Sequence, residues 1–169
     1  VVTNSGSGNQ GITTSVPIIV YCREKHLDEE TLYRALVFSN LCTIHEKTGI
    51  GRLSAFCGAV CAATSVGVTL TYLKGGTLEQ IGNTIRNTFA NISGIVCDGA
   101  KTTCALKIHT SLQSAFLASK LALRGKTYDA NTGILKGSCE STIDAIGILG
   151  KEGMKETDKI ILNIMLEKE

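Results

Sequence analysis

Seven cysteines and one glycine-rich run hold most of the chemistry this 169-residue sequence offers. Cys57 and Cys61 are four residues apart, the spacing that puts two side chains on one face of a predicted helix. Cys97 falls at a break between predicted helices, and Cys104 lies one to two turns into the next helix. Thiolates so placed can ligate an iron–sulfur cluster, and a cubane held by three cysteines leaves one iron open as a Lewis acid. Packing is the competing reading, because free cysteine is a common small core residue. No C-x-x-C pair exists, which argues against a structural zinc site or a thioredoxin-type redox site. An odd count cannot pair fully within one chain, and the spacings are not those of a small disulfide scaffold. The expectation is a reducing cytoplasm with free or metal-bound thiols. The single Asn91-Ile92-Ser93 triplet, a pattern common by chance, does not alter that expectation.

The second feature is Gly6-Ser7-Gly8-Asn9-Gln10-Gly11, a literal G-x-G-x-x-G. A dinucleotide fingerprint needs a strand before it and a βαβ unit around it, and neither pattern is present. Two readings remain. One is a flexible loop. The other is anion capture, in which successive Gly and Ser amides form a nest, a following helix adds its N-terminal dipole, and Asn9 and Gln10 add side-chain donors. Such a loop suits a carboxylate as well as a phosphate.

The elements that must position these residues read as helices. Residues 1–11 read as a small-residue loop, and Ile12 to Tyr21 is ambiguous between a strand and a buried helix. Asp28 reads as an N-cap for a helix running to about Lys47, with Glu29 and Glu30 favoured by its dipole. Leu53 to Tyr72 carries no charge and is long enough to span a bilayer, but its Ser, Thr and Gly content favours a buried central helix. Thr77 with Gln80 fits a capping box. A long helix is expected from about Lys101 to Arg124, closed by Gly125, and another from Ser138 to Leu149. Thr157 is expected to cap a last helix that turns Ile160, Ile161, Ile164 and Met165 inward. The only proline is Pro17. These elements predict a mainly α, compact helical domain, with a buried central helix and a Gly-rich N-terminal loop, as a single domain over residues 1–169. Hydrophobic residues at 43% and charged residues at 19% argue against long disorder, and a net charge of +2 without a basic block gives no sign of nucleic acid. The chain opens on Val1 and its first Met is Met154, which reads as a processed chain or a piece of a longer one, with no secretory signal in view.

Four segments resemble the L-cysteine desulfidase family, single-chain relatives of the bacterial iron–sulfur L-serine dehydratase α-subunit. They are Ser5 to Gly11, the Ala55-Phe56-Cys57 to Cys61 stretch, Gly94 to Lys101 continuing through Cys104 to Lys107, and Gly150 to Asp158. The resemblance covers essentially the whole chain. It implies that Cys57, Cys97 and Cys104 hold a [4Fe–4S] cluster, with Cys61 a packing residue or spare ligand and Cys22, Cys42 and Cys139 left to core or surface roles. It also implies that this chain is the C-terminal portion of a longer enzyme. The missing N-terminal half would carry a cysteine thought to act in proton transfer, and this portion alone would be inactive. A homo-oligomer or an exposed apolar patch would then be unsurprising.

The family reaction is β-elimination of L-cysteine to pyruvate, ammonia and sulfide without pyridoxal phosphate. The resemblance implies that Ser5, Gly6, Ser7, Gly8, Asn9, Gln10 and Gly11 fix the substrate carboxylate. No base is identifiable: His26, His45 and His109 are candidates by type only, and His109 points about 140° away from Cys104 on a helix. Lys101 and Lys107 flank Cys104, where a lysine can balance a cluster's charge or simply be solvated. Asp98 reads as the N-cap of the following helix or as an outer-shell acceptor near the cluster. Serine dehydration and a non-catalytic iron–sulfur or redox-sensing role remain as alternatives.

Overall fold

Polar residues that punctuate the sequence cap the starts of four of the seven helices among the described residues. The computed structural model describes residues 2–167, which form α1 (Gly8–Glu24), α2 (Glu29–Thr48), α3 (Ala59–Leu73), α4 (Leu78–Asn91), α5 (Cys104–Leu123), α6 (Cys139–Ile148) and α7 (Lys155–Leu166). A π-helical turn, Leu149–Gly153, joins α6 to α7. Among the described residues there is no β-strand, only two isolated bridges, so the fold is mainly α. Asp28 caps α2 by accepting from the Thr31 amide at 2.8 Å. Thr77 and Gln80 form the capping box of α4, and Ser138 with Ser141 forms another at α6. Each cap satisfies amides that have no partner inside their own helix.

Helix α3 is the axis of the bundle and packs against α1, α2, α4 and α5. Thirteen of its residues, from Ala59 to Thr71, are buried. Its polar residues are tolerated there because their hydroxyls bond the carbonyl one turn back, as Thr64 does to Val60 and Thr69 to Ser65, both at 2.8 Å. Thr71 goes further and bridges helices, with its hydroxyl 2.8 Å from Thr84 of α4 and 2.8 Å from Ser119 of α5. Small residues permit this closeness: a Cβ on Gly67 would sit 2.8 Å from the Ala115 carbonyl of α5. Apolar side chains fill two clusters, one around Phe56, Val60, Val68, Phe89 and Ile146, the other around Ile18, Ala35, Val66 and Leu70.

The charge-free stretch is not one helix. Residues 53–58 lie outside the helix, and Phe56 bridges Val96, with the Cys57 amide donating to Ile95 (2.8 Å) and the Cys97 amide to Ala55 (2.7 Å). No helix among the described residues is long and apolar enough to cross a membrane. Three other expectations are corrected. The chain becomes helical at Gly8, inside the expected loop, because the Ser7 hydroxyl accepts from the Gln10 amide and caps α1 there; Pro17 sits within that helix. Asp98 caps nothing, since α5 starts at Cys104 behind Thr103, which makes no side-chain cap. Helix α7 starts at Lys155, so Thr157 lies within it, and Ile160 (58% exposed), Ile164 (63%) and Met165 (46%) face outward rather than into this bundle. No residue of α7 is buried, because no other helix of the bundle lies over that face.

Candidate functional site

The extended pairing of residues 55–57 with 95–97 brings together segments that are far apart in sequence. Cys57, Cys97 and Cys104 line one cavity of about 230 Å³, together with Ser7, Asn9 and Gln10 from the start of α1. Cys57 precedes α3 and therefore does not share a helix face with Cys61, which is fully buried in the larger apolar cluster. Cys104 is the first residue of α5 rather than a turn or two into it. Its sulfur accepts from the Lys101 amide (3.4 Å) and its thiol donates to the Gly99 carbonyl (3.6 Å).

Two of the thiols are electrostatically unequal. A hydrogen bond from Cys57 holds the Cys97 thiol down at about 6; burial opposes this, while the Gly99 amide and the Lys107 charge assist. The same hydrogen bond, with burial, pushes the Cys57 thiol up. Cys97 is thus the more acidic thiol of the pair and Cys57 the less acidic. Cys22 is buried in the second cluster, and burial raises its thiol as well. Cys42, pushed up to about 12 by burial and then by Glu46 and Glu140, packs with Cys139 against the first cluster. None of these three lines the cavity, and neither does Cys61.

The glycine-rich run closes the other side. Ser5 and Gly6 both have positive φ (48° and 114°), and a Cβ on Gly6 would meet the Arg52 carbonyl at 2.5 Å. Asn4 anchors the turn through Asn40 Oδ1 (2.8 Å) and paired backbone bonds with Ser7. Past Ser7 the run becomes the first turn of α1, whose Gly8 and Asn9 amides have no acceptor within the helix. The candidate anion-binding element is therefore a helix N-terminus rather than a free nest. Gln10 differs from its expected role: its Nε2 donates to the Ser7 hydroxyl (3.2 Å) and the Ser5 carbonyl (3.4 Å), so it braces the turn. A Cβ on Gly58 would sit 2.3 Å from its amide carbon, which locks the two segments together.

Asp98 pairs with Lys107, and that hydrogen bond is the main reason its carboxyl lies below the usual range. Lys107 also donates to the Val96 carbonyl (3.0 Å), so it ties the loop bearing Cys97 onto α5. Lys101 is exposed and outside the cavity. The histidines are also elsewhere: His26 and His109 are exposed, and His45 pairs with Glu140 at 2.7 Å.

One residue was missed by type and motif. Lys47, in the last turn of α2, is 4% exposed and lines the cavity. Burial lowers its ammonium, and the sulfurs of Cys61, Cys57 and Cys97 oppose that shift. The signal was available, since Ala35, Ser39, Thr43 and Lys47 recur every four residues on the inner stripe of α2. Its neighbour Glu46 is also buried, with Oε1 accepting from Ser65 (3.3 Å), Oε2 unpartnered, and its carboxyl raised by burial.

Among the described residues no three His, Cys, Asp or Glu side chains converge tightly enough for a single metal ion. Three thiols facing one cavity, one of them made more acidic by its neighbours, are instead a donor set of the kind that holds a larger iron–sulfur group, whose ligands stand further apart.

The fold and site define a helical bundle that presents thiols and a helix N-terminus to one cavity. The family model described as serine dehydratase alpha chain matches residues 1–163, and the chain belongs to that family. Relatives carry the name UPF0597 protein. That of Treponema denticola is 51% identical over 167 residues, 99% of this chain and 39% of the relative. That of Desulfitobacterium hafniense is 53% identical over 168 residues, 99% and 39% of the two chains. That of Phocaeicola vulgatus is 45% identical over 169 residues, 100% and 39%. The chain thus spans about two fifths of the length of the curated relatives it matches. No solved structure matches it significantly.

Proposed function

We propose that this chain is the cluster-bearing domain of a cytoplasmic lyase that eliminates the β-substituent of an L-amino acid, converting L-cysteine to pyruvate, ammonia and sulfide. The observation that carries this reading is the meeting of Cys57, Cys97 and Cys104 with the N-terminus of α1 on one cavity. Cys57, Cys97 and Cys104 would hold a [4Fe–4S] cluster, with Asp98 outside them positioning Lys107 and the Cys97 loop. When bound, the cluster supplies a Lewis-acidic iron that favours departure of the β-substituent.

The chain's own residues have the remaining work of binding and orientation. The Gly8 and Asn9 amides and the α1 dipole hold the substrate carboxylate, with Ser5, Gly6, Ser7, Gln10 and Gly11 shaping the turn. The α-proton goes to a base, its electron pair forms the Cα–Cβ double bond, and the C–S bond breaks with its pair leaving as sulfide. The resulting 2-aminoacrylate tautomerises to an imine, which water hydrolyses to pyruvate and ammonia. No histidine of this chain lines the cavity, which supports a base supplied by the remainder of the protein. Residues 1–169 would form one domain, inactive alone. The remainder would cover the exposed apolar stripes of α1 (Ile12, Val16, Val20) and α2 (Tyr33, Val37, Leu41). The greater length of the relatives supports that occupant over a second copy of the chain.

Serine dehydration is the second reading, favoured by the family's description. Joining the chain to the remainder of the protein and assaying L-cysteine and L-serine anaerobically separates them. Sulfide with pyruvate supports desulfidation, and pyruvate from serine alone supports dehydration. An intact cluster with turnover of neither would make the domain non-catalytic.

A further inference from the structure

Lys47 has a charge that the chain leaves unanswered. Its side chain is 4% exposed, yet among the described residues its ammonium makes no hydrogen bond and no ion pair. Glu46, next to it in sequence, turns to Ser65 of α3 instead. A lysine this deep, whose ammonium reaches a cavity and has no anion beside it, is stabilised by a partner that brings a negative charge and hydrogen-bond acceptors. The place of Lys47 says where that partner comes from. It lines the thiol cavity and also an adjoining cavity of about 550 Å³, so it forms the wall between the two. Arg52 lines both as well, at the exposed rim, and Gly6 and the start of α1 border the same space. A buried cation, a second cation at the mouth and the free amides of a helix N-terminus meet here, and no carboxylate lines either cavity.

We propose that Lys47 is the residue that binds the carboxylate of the amino-acid substrate, completing with its charge what the α1 amides begin. This rests on the amino-acid reading of the site. The thiols are the competing anions, but Lys47 hydrogen-bonds none of them. A ligand carboxylate brings a full charge and two acceptor oxygens, enough for the ammonium and the amides together. Lys47 is therefore what makes the site select an α-carboxylate over a neutral end group.

The test is a cycle of protein and ligand charge, read by calorimetry on the whole protein joined to its remainder. L-serine is compared with L-serinamide, which replaces the carboxylate by a neutral amide. Wild type binds L-serine tighter than L-serinamide by about 10- to 100-fold. Lys47→Met loses that factor for L-serine and leaves L-serinamide unchanged, while Lys47→Arg keeps the preference. Without ligand, Lys47→Met melts no lower than wild type, since it removes an uncompensated buried charge. Equal weakening of both ligands, unchanged affinity for L-serine, or a lower melting temperature without ligand overturns the role of Lys47. Loss of iron from Lys47→Met with ligand preference intact assigns the lysine to the thiolates and also overturns it. Failure of wild type to bind L-serine or L-cysteine at all overturns the amino-acid reading itself.

Discussion

Replacing Gly6 by Ala is expected to release the glycine turn while leaving the helical bundle folded. Two penalties combine. The first is conformational: φ is +114°, a region that residues with a Cβ rarely occupy, and such strain costs about 1–3 kcal/mol. The second is contact: the new Cβ would sit 2.5 Å from the Arg52 carbonyl, a backbone atom, and overpacking of this kind adds about 1–3 kcal/mol. The turn is held by few bonds: Asn4 to Asn40, Asn4 with Ser7, and Gln10 to Ser5 and Ser7. At about 0.5–1.5 kcal/mol each, these are comparable to the combined strain, so the turn opens before the bundle does. Gly51 provides the control, because its φ is +97° but nothing lies within 4 Å of its Cβ position, so Gly51→Ala carries the conformational term alone. Hydrogen exchange resolved to residues 3–10 is the assay, paired with L-serine affinity. Gly6→Ala should lose protection there and weaken binding at least tenfold, with chain melting little changed, whereas Gly51→Ala should leave residues 3–10 protected. Unaltered protection in Gly6→Ala, or the same loss in both variants, would refute the close approach of the turn to Arg52.

Other consequences concern the bundle. Glu46 keeps its proton when folded, because burial raises its carboxyl, whereas the unfolded chain releases that proton above the ordinary glutamate range. Native protein then binds more protons than unfolded, and stability falls as pH rises from about 4.5 toward the raised folded value, at no more than about 1.4 kcal/mol per pH unit. Glu46→Gln removes that slope, so its stability advantage in urea melts should widen with pH; a constant difference would contradict a buried neutral acid. Thr71→Val deletes the hydroxyl shared by Thr84 and Ser119, and chemical denaturation should show a loss of about 1–3 kcal/mol. A loss below about 0.5 kcal/mol would mean that the two remaining hydroxyls satisfy each other.

Local chemistry made the helical class legible from the sequence. The Asp28 cap and the Thr77–Gln80 box depend on residues three apart, and both formed where those residues stand. What local chemistry does not contain is long-range pairing. The absence of charge from Leu53 to Tyr72 reads as one continuous helix, but residues 55–57 are drawn straight by 95–97, and that pairing moves Cys57 off the helix and toward Cys97. Asp98 looks like a cap because it precedes a helix, yet Lys107, nine residues on, takes it instead. The apolar face of α7 was expected to point inward because amphipathicity declares that a face is buried without saying against what, and no helix of this bundle covers it. Residue type does not single out Lys47, because lysine is ordinarily a surface residue, although the four-residue stripe of α2 places it inside.

The central claim is that three of the seven cysteines hold a cluster and four do not. Anaerobic reconstitution with iron and sulfide, followed by iron analysis and visible absorbance for seven single Cys→Ser variants, tests it most directly. Loss of iron is predicted in Cys57→Ser, Cys97→Ser and Cys104→Ser, with wild-type iron in the folded variants of Cys22, Cys42, Cys61 and Cys139. Wild-type iron retained by all three of the cavity variants would contradict the account.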